Sequence, residues 1–126
     1  MPMIVVSVIK NCTVIYGYNT GIGTITVPYT QGFAAGFLLD HFTRHASDFN
    51  ATSAEEYELL ADQFLGSPLN PPVLECYRVG NGDLVRFDPS TNEFGVLAMS
   101  RVIRTYYVRR PSTVSSLSYF ERQCGK

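Results

Sequence analysis

The chain has no run near the ~18 consecutive apolar residues that a membrane-crossing helix requires, which excludes that class of protein. Its apolar stretch Met3–Ile9 lacks a basic leader and is cut short by Lys10, so it reads as a first strand rather than a signal peptide. Cysteine is scarce: Cys12, Cys76 and Cys124 are odd in number and show no CxxC spacing. Neither a disulfide framework nor a zinc ribbon is indicated, which leaves room for one disulfide and one free thiol. An excess of positive charge is missing too. The net charge of −1 is unlike that of a simple nucleic-acid binder, whose affinity comes from Lys and Arg neutralising phosphates. Internal repeats and low-complexity segments are also absent.

What is present describes one ordinary globule. The 126 residues are 45% apolar and 17% charged, enough for a single sizeable core, so residues 1–126 read as one domain. The charge is segregated along the chain. Residues 1–63 carry Lys10 and Arg44 against Asp40, Asp48, Glu55, Glu56, Glu58 and Asp62, a net of −4. The second half carries Arg78, Arg86, Arg101, Arg104, Arg109, Arg110, Arg122 and Lys126 against Glu75, Asp83, Asp88, Glu93 and Glu121, a net of +3. An anionic partner would be met by one face only.

The local patterns give an α+β fold, with an N-terminal β element and two helices packed on an antiparallel β-meander. Met3–Ile9, Thr13–Tyr18 and Ile22–Val27 are rich in β-branched residues and form a β extension over 1–30. Gly21 and Gly23 belong to its turns, since no third glycine, Lys or following helix completes a nucleotide-binding fingerprint. A helix pair fills 31–66. The first helix runs from Gln31 to about Ser47, with Leu38, Phe42, His45 and Phe49 on one stripe, and Asn50 takes the left-handed conformation that ends it. Overlapping capping boxes in Thr52-Ser53-Ala54-Glu55-Glu56 start the second, which buries Tyr57, Leu60, Ala61 and Phe64. Gly66, Pro68, Pro71 and Pro72 stop it. Residues 73–110 alternate strand and turn as a meander, and the tail 111–126 docks through Tyr119-Phe120 as a short helix or strand.

Two histidines stand out. His41 and His45 are four apart on a helix, so they share a face and suit acid–base chemistry near neutrality. The same spacing also fits a solvated face or the edge of a core. A zinc pair is disfavoured, because Phe42 stands where that pattern needs Glu. On the meander, alternation puts Arg86 with Leu84 and Asp88, and puts Thr105 and Tyr107 with Ile103, while Arg104 and Tyr106 face the other way. An ion pair of Arg86 with Asp88 or Glu93 is the plain alternative for that arginine; strand propensity alone accounts equally for Thr105 and Tyr107.

Three blocks in order carry a family resemblance. Leu39-Asp40-His41-Phe42-Thr43-Arg44-His45-Ala46-Ser47-Asp48-Phe49 with Ala54-Glu55-Glu56-Tyr57, then Gly82 to Val96, then Ile103-Arg104-Thr105-Tyr106-Tyr107, resemble bacterial polymorphic-toxin ribonuclease domains. Tyr119-Phe120-Glu121-Arg122-Gln123 resembles their common ending. These domains belong to the barnase/EndoU/colicin/RelE-like superfamily, which includes contact-dependent inhibition toxins, and the basic-His-Ala motif is similar to that of colicin D. The chain departs from the pattern at Ala46 and Asn50, where relatives often have glycine, and at Met99-Ser100-Arg101, where they usually have an Asp-Gly turn. The first thirty residues have no counterpart, and Met1 fits a free-standing or excised domain.

The resemblance implies a metal-independent, cofactor-free endoribonuclease toxin that cleaves tRNA or another structured RNA by 2′-OH attack, leaving a 2′,3′-cyclic phosphate. It implies a site of His41, His45, Arg86, Thr105 and Tyr107, with His45 the first choice for proton transfer, its charged form favoured by the helix C-terminus. Arg86 would stabilise the transition state, and Arg44 and Arg104 would hold flanking phosphates. It also implies a monomer, a cognate immunity protein, and secretion or delivery into a target-cell cytoplasm. The alternative is a non-catalytic RNA- or protein-binding module on the same scaffold.

Overall fold

The computed structural model describes residues 28–110 and 112–126. The N-terminal strands expected before residue 28, and Cys12 with them, lie outside the described residues. Within these limits the fold is α+β. Helix α1 (Leu38–His45) leads through a 3-10 turn (Ala46–Asp48) to α2 (Ala54–Gly66). Strands β1 (Leu74–Tyr77), β2 (Leu84–Asp88), β3 (Glu93–Leu97) and β4 (Ile103–Val108) follow, and α3 (Ser116–Cys124) closes the chain. All strand neighbours are antiparallel, in the order β1-β2-β3-β4, which is the expected meander. Among the described residues no helix is long and apolar enough to cross a membrane.

Capping chemistry places both ends of the helix pair. Asn50 takes φ 54, ending the first helical segment as a residue tolerant of positive φ should. The Ser53 side chain accepts from the Glu56 amide, and the Glu56 carboxylate accepts in return from the Thr52 amide and hydroxyl. The reciprocal bond thus falls one residue earlier than in the standard box. The first helix is shorter than the sequence pattern suggests. Gly32 and Gly36 both adopt positive φ, so the segment before Leu38 turns instead of coiling. That segment runs beside β4: Phe33 forms a parallel bridge with Ile103, and the Ile103 amide donates to the Gly32 carbonyl.

The sheet is covered on both faces. Phe33, Tyr57, Ala61, Leu65, Leu84, Leu97, Ile103 and Tyr106 form one buried cluster under the helix pair. Val85, Phe87, Phe94, Val96 and Phe120 form another under α3, where Phe120 and Phe87 stack at 5.9 Å. Burial of alternate residues on opposite faces explains why β2 and β3 read as nearly continuous apolar runs. Gly95 is required by the close approach of α2, since a Cβ there would sit 3.0 Å from a Leu65 methyl. The tail is a helix capped by Ser115, whose side chain accepts from the Ser118 amide. A disulfide joins its last residue, Cys124, to Cys76 on β1.

One expectation about strand faces is corrected. Leu97 pairs with Ile103 and Val96 with Thr105, so β4 has an extra residue at the register shift. This bulge turns Ile103 to the helix-pair side, where it packs with Tyr106. Thr105 and Tyr107 remain on the other face, opposite Val96 and Phe94. Simple alternation fails at Arg104 because a bulge resets it.

Candidate active site

The last turn of α1, the 3-10 turn and the end of β4 enclose an open hollow of about 340 Å³, lined by Arg44, His45, Asp48, Tyr107, Val108, Arg109 and Arg110. His45 is half-buried at its centre. The His45 ring stacks on that of Tyr107 at 5.4 Å between centroids, and the rings of His41 and His45 lie 6.1 Å apart. Nδ1 of His45 is 3.7 Å from Oδ2 of Asp48, and Nε2 is 3.4 Å from the Arg44 guanidinium.

Electrostatics correct the expectation that helix position favours the charged form of His45. Its pKa is held below the ordinary value of 6.5, chiefly by burial and then by the Arg44 charge, against the opposing pull of Asp48 and Asp40. A neutral imidazole at physiological pH suits a proton acceptor. His41 is also held below that value, by burial first and by Arg44 and His45 next. It is buried against Phe33, with ring centroids 5.0 Å apart, and its Nδ1 has no hydrogen-bond partner among the described residues. It does not line the hollow and acts as an aromatic at the core edge.

Tyr107 forms the back of the hollow. Its hydroxyl shares a 2.6 Å hydrogen bond with that of Tyr119 on α3, and burial raises its pKa, so it stays a neutral phenol. Arg109 lies 4.0 Å over the Tyr119 ring and donates to Ser112 Oγ and the Val114 carbonyl, which fixes the rim. Arg44 pairs with Asp40 at 2.8 Å, yet half its side chain is exposed. Arg110 is 75% exposed and donates to Asp48 Oδ1 at 2.7 Å.

Three of the expected residues are placed elsewhere. Arg86 stands opposite Glu75 on β1, rather than meeting Asp88 or Glu93, and its Nε donates to that carboxylate at 2.8 Å. Its Nη1 donates to the Phe64 and Ser67 carbonyls at the end of α2. Those bonds engage the buried guanidinium in closing α2, and it lines a separate hollow with Pro68, Pro72 and Val73. Arg104 bonds the buried Asp83 at 2.8 Å. Thr105 sits half-buried beside Val96 and does not line the hollow. His45, Tyr107 and Arg44 are therefore brought together, while Arg86, Thr105 and Arg104 are not.

Asp48, Arg109 and Arg110 were the residues missed. Asp48 follows His45 by three, a spacing that puts both on one helical row. Arg109-Arg110 is a basic pair directly after β4. Among the described residues no group of three or more His, Cys, Asp or Glu is placed to hold a metal ion. Neither profiles of known protein families nor the curated proteins contain a match to this chain.

Proposed function

We propose that the chain is an endoribonuclease of the toxin type its motifs resemble, with His45 as the base. The observation that carries this reading is a neutral, half-buried imidazole in an open hollow whose rim holds three arginines, Arg44, Arg109 and Arg110. Such a rim suits a phosphodiester, and the aromatic back wall suits a stacked base.

In this scheme the substrate 2′-OH attacks the adjacent phosphorus and its proton passes to Nε2 of His45, in place of the long 3.4 Å contact with Arg44. The P–O5′ bond breaks, the 5′ oxygen takes a proton from water admitted by the open hollow, and a 2′,3′-cyclic phosphate remains. Arg110 and Arg44, which line the hollow, would stabilise the charge on the phosphorane-like transition state in place of Arg86, which does not line it. A structured RNA such as tRNA is the proposed substrate. A cognate immunity protein with an acidic face, and delivery into a target-cell cytoplasm, belong to the same proposal through the family resemblance.

The test is RNA cleavage in EDTA by the wild type and by His45→Ala and His41→Ala. General-base loss lowers the rate by roughly 10²–10⁴-fold at His45, whereas His41→Ala, per folded molecule, retains most of it. Equal cleavage by His45→Ala would sink the site. RNA binding without cleavage by the wild type would establish the binding module instead.

A further inference from the structure

We propose that Asp48 is the positioning residue for His45: it holds the imidazole proton on Nδ1 and leaves Nε2 as the basic nitrogen. This rests on the reading of His45 as the base, but its physical content is a property of the protein alone.

Asp48 is an unusual carboxylate to find beside an open hollow. Its side chain is only 6% exposed, and both oxygens are anchored from across the fold. Oδ2 accepts from the Val108 amide at 3.1 Å and Oδ1 from Arg110 at 2.7 Å. The carboxylate therefore ties the end of the first helical segment to β4, and Oδ2 is the oxygen that faces His45 Nδ1.

The two contacts of the ring agree on one tautomer. Arg44 can only donate, so the nitrogen facing it must carry the lone pair, and that nitrogen is Nε2. Asp48 as a carboxylate can only accept, so the nitrogen facing it must carry the proton, and that nitrogen is Nδ1. The opposite tautomer would set a donor against a donor and a lone pair against a carboxylate. The 3.7 Å separation is longer than a hydrogen bond, as catalytic contacts often are without substrate.

Among the described residues, the charged and titratable groups around the ring come from four places. Asp40, His41 and Arg44 lie on α1, Asp48 in the 3-10 turn, Tyr107 on β4, and Arg109 and Arg110 just beyond it. Asp48 is the buried anion among them. The guanidinium of Arg44 opposes it from the other side of the ring, so the pair polarises the imidazole along its Nδ1–Nε2 axis.

The experiment is a ¹⁵N NMR titration of the histidine side chains in the intact chain, as wild type, Asp48→Asn and Asp48→Ala, with cleavage kinetics alongside. In the wild type His45 should be the Nδ1–H tautomer when neutral. In Asp48→Asn its midpoint should fall by roughly 0.5–1 unit, because the favourable anion is gone while an oxygen remains for the Val108 amide. In Asp48→Ala the Nε2–H tautomer should gain population, and kcat should drop roughly tenfold or more at little-changed KM. His41 has no direct interaction with Asp48 and feels the variant only through the charge of His45, so its midpoint should move less than that of His45. An unmoved His45 midpoint in Asp48→Asn, or wild-type kcat in both variants, overturns the proposal. If the wild type cleaves no RNA, the reading of His45 as the base fails, and the NMR result still decides whether Asp48 sets its tautomer.

Discussion

The imidazole of His45 stacks on the phenol ring of Tyr107, centroids 5.4 Å apart and planes inclined by 26°. One residue ends α1 and the other lies near the end of β4, 62 positions later in the chain, so the contact exists only in the folded protein. Tyr107 is itself held from behind by Tyr119, which makes the histidine's support a chain of three rings from three elements.

Tyr107→Phe keeps the ring and removes the hydroxyl that bonds Tyr119. Stability should fall by about 1 kcal/mol, the usual net worth of such a bond, as read from the urea midpoint. Cleavage should stay within a few-fold of wild type, because the hydroxyl already has its partner inside the protein.

Acidification should weaken both activity and fold. With His45 as the proposed base, the imidazole has to be neutral to accept a proton, so the acidic limb of the cleavage rate should lie below pH 6.5. For stability the sign follows from burial of two neutral imidazoles. Their folded pKa values are lowered, so below about 6.5 the unfolded chain binds more protons and stability declines until the folded pKa values are passed. Thermal unfolding between pH 8 and pH 5 checks the direction, and removal of both histidines should flatten their share of the slope.

Arg86→Met should destabilise the domain by about 3 kcal/mol, since it leaves Glu75 and two carbonyls at the end of α2 without their donor. Cleavage per folded molecule should be unchanged. A large kcat loss in a fully folded Arg86→Met protein would instead return this arginine to the chemistry.

Removing the disulfide with Cys76→Ser and Cys124→Ser should lower stability by about 2–4 kcal/mol, the range expected for closing a loop of this length. Because α3 also carries Tyr119 and Phe120, hydrogen exchange should rise first in that helix. Uniform protection across α3 in the double variant would show that packing alone secures it.

Much of the architecture was legible because periodicity and turn chemistry act locally. The four strands, the caps at Ser53 and Glu56, and the positive φ of Asn50 all follow from side chains within a few residues. α1 starts at Leu38 and not at Gln31, because Gly32 and Gly36 take positive φ and turn the chain, which the stripe of Leu38, Phe42 and Phe49 does not reveal. The site was half legible. His45 and Arg44 are close in sequence, but Arg86 is drawn to Glu75 by cross-strand register, and that partner could not be seen from the meander pattern alone. The bulge at Arg104 likewise has no local marker, and it separates the face of Ile103 from that of Thr105 and Tyr107. Met99-Ser100-Arg101 does form the tight turn before β4, with Arg101 at φ 74 where a glycine would be unstrained.

The bond between Cys76 and Cys124 makes a closed ring of the chain segment that holds β2, β3, β4 and the whole of α3. A ring cannot be drawn out into a single thread. Pulled by its ends, the oxidised chain would be shorter by the 48-residue separation, roughly 160 Å of contour, than the reduced one. Any passage wide enough for only one extended strand would therefore stop it until a thiol reductant opened the ring, whereas a passage that admits a doubled strand would not.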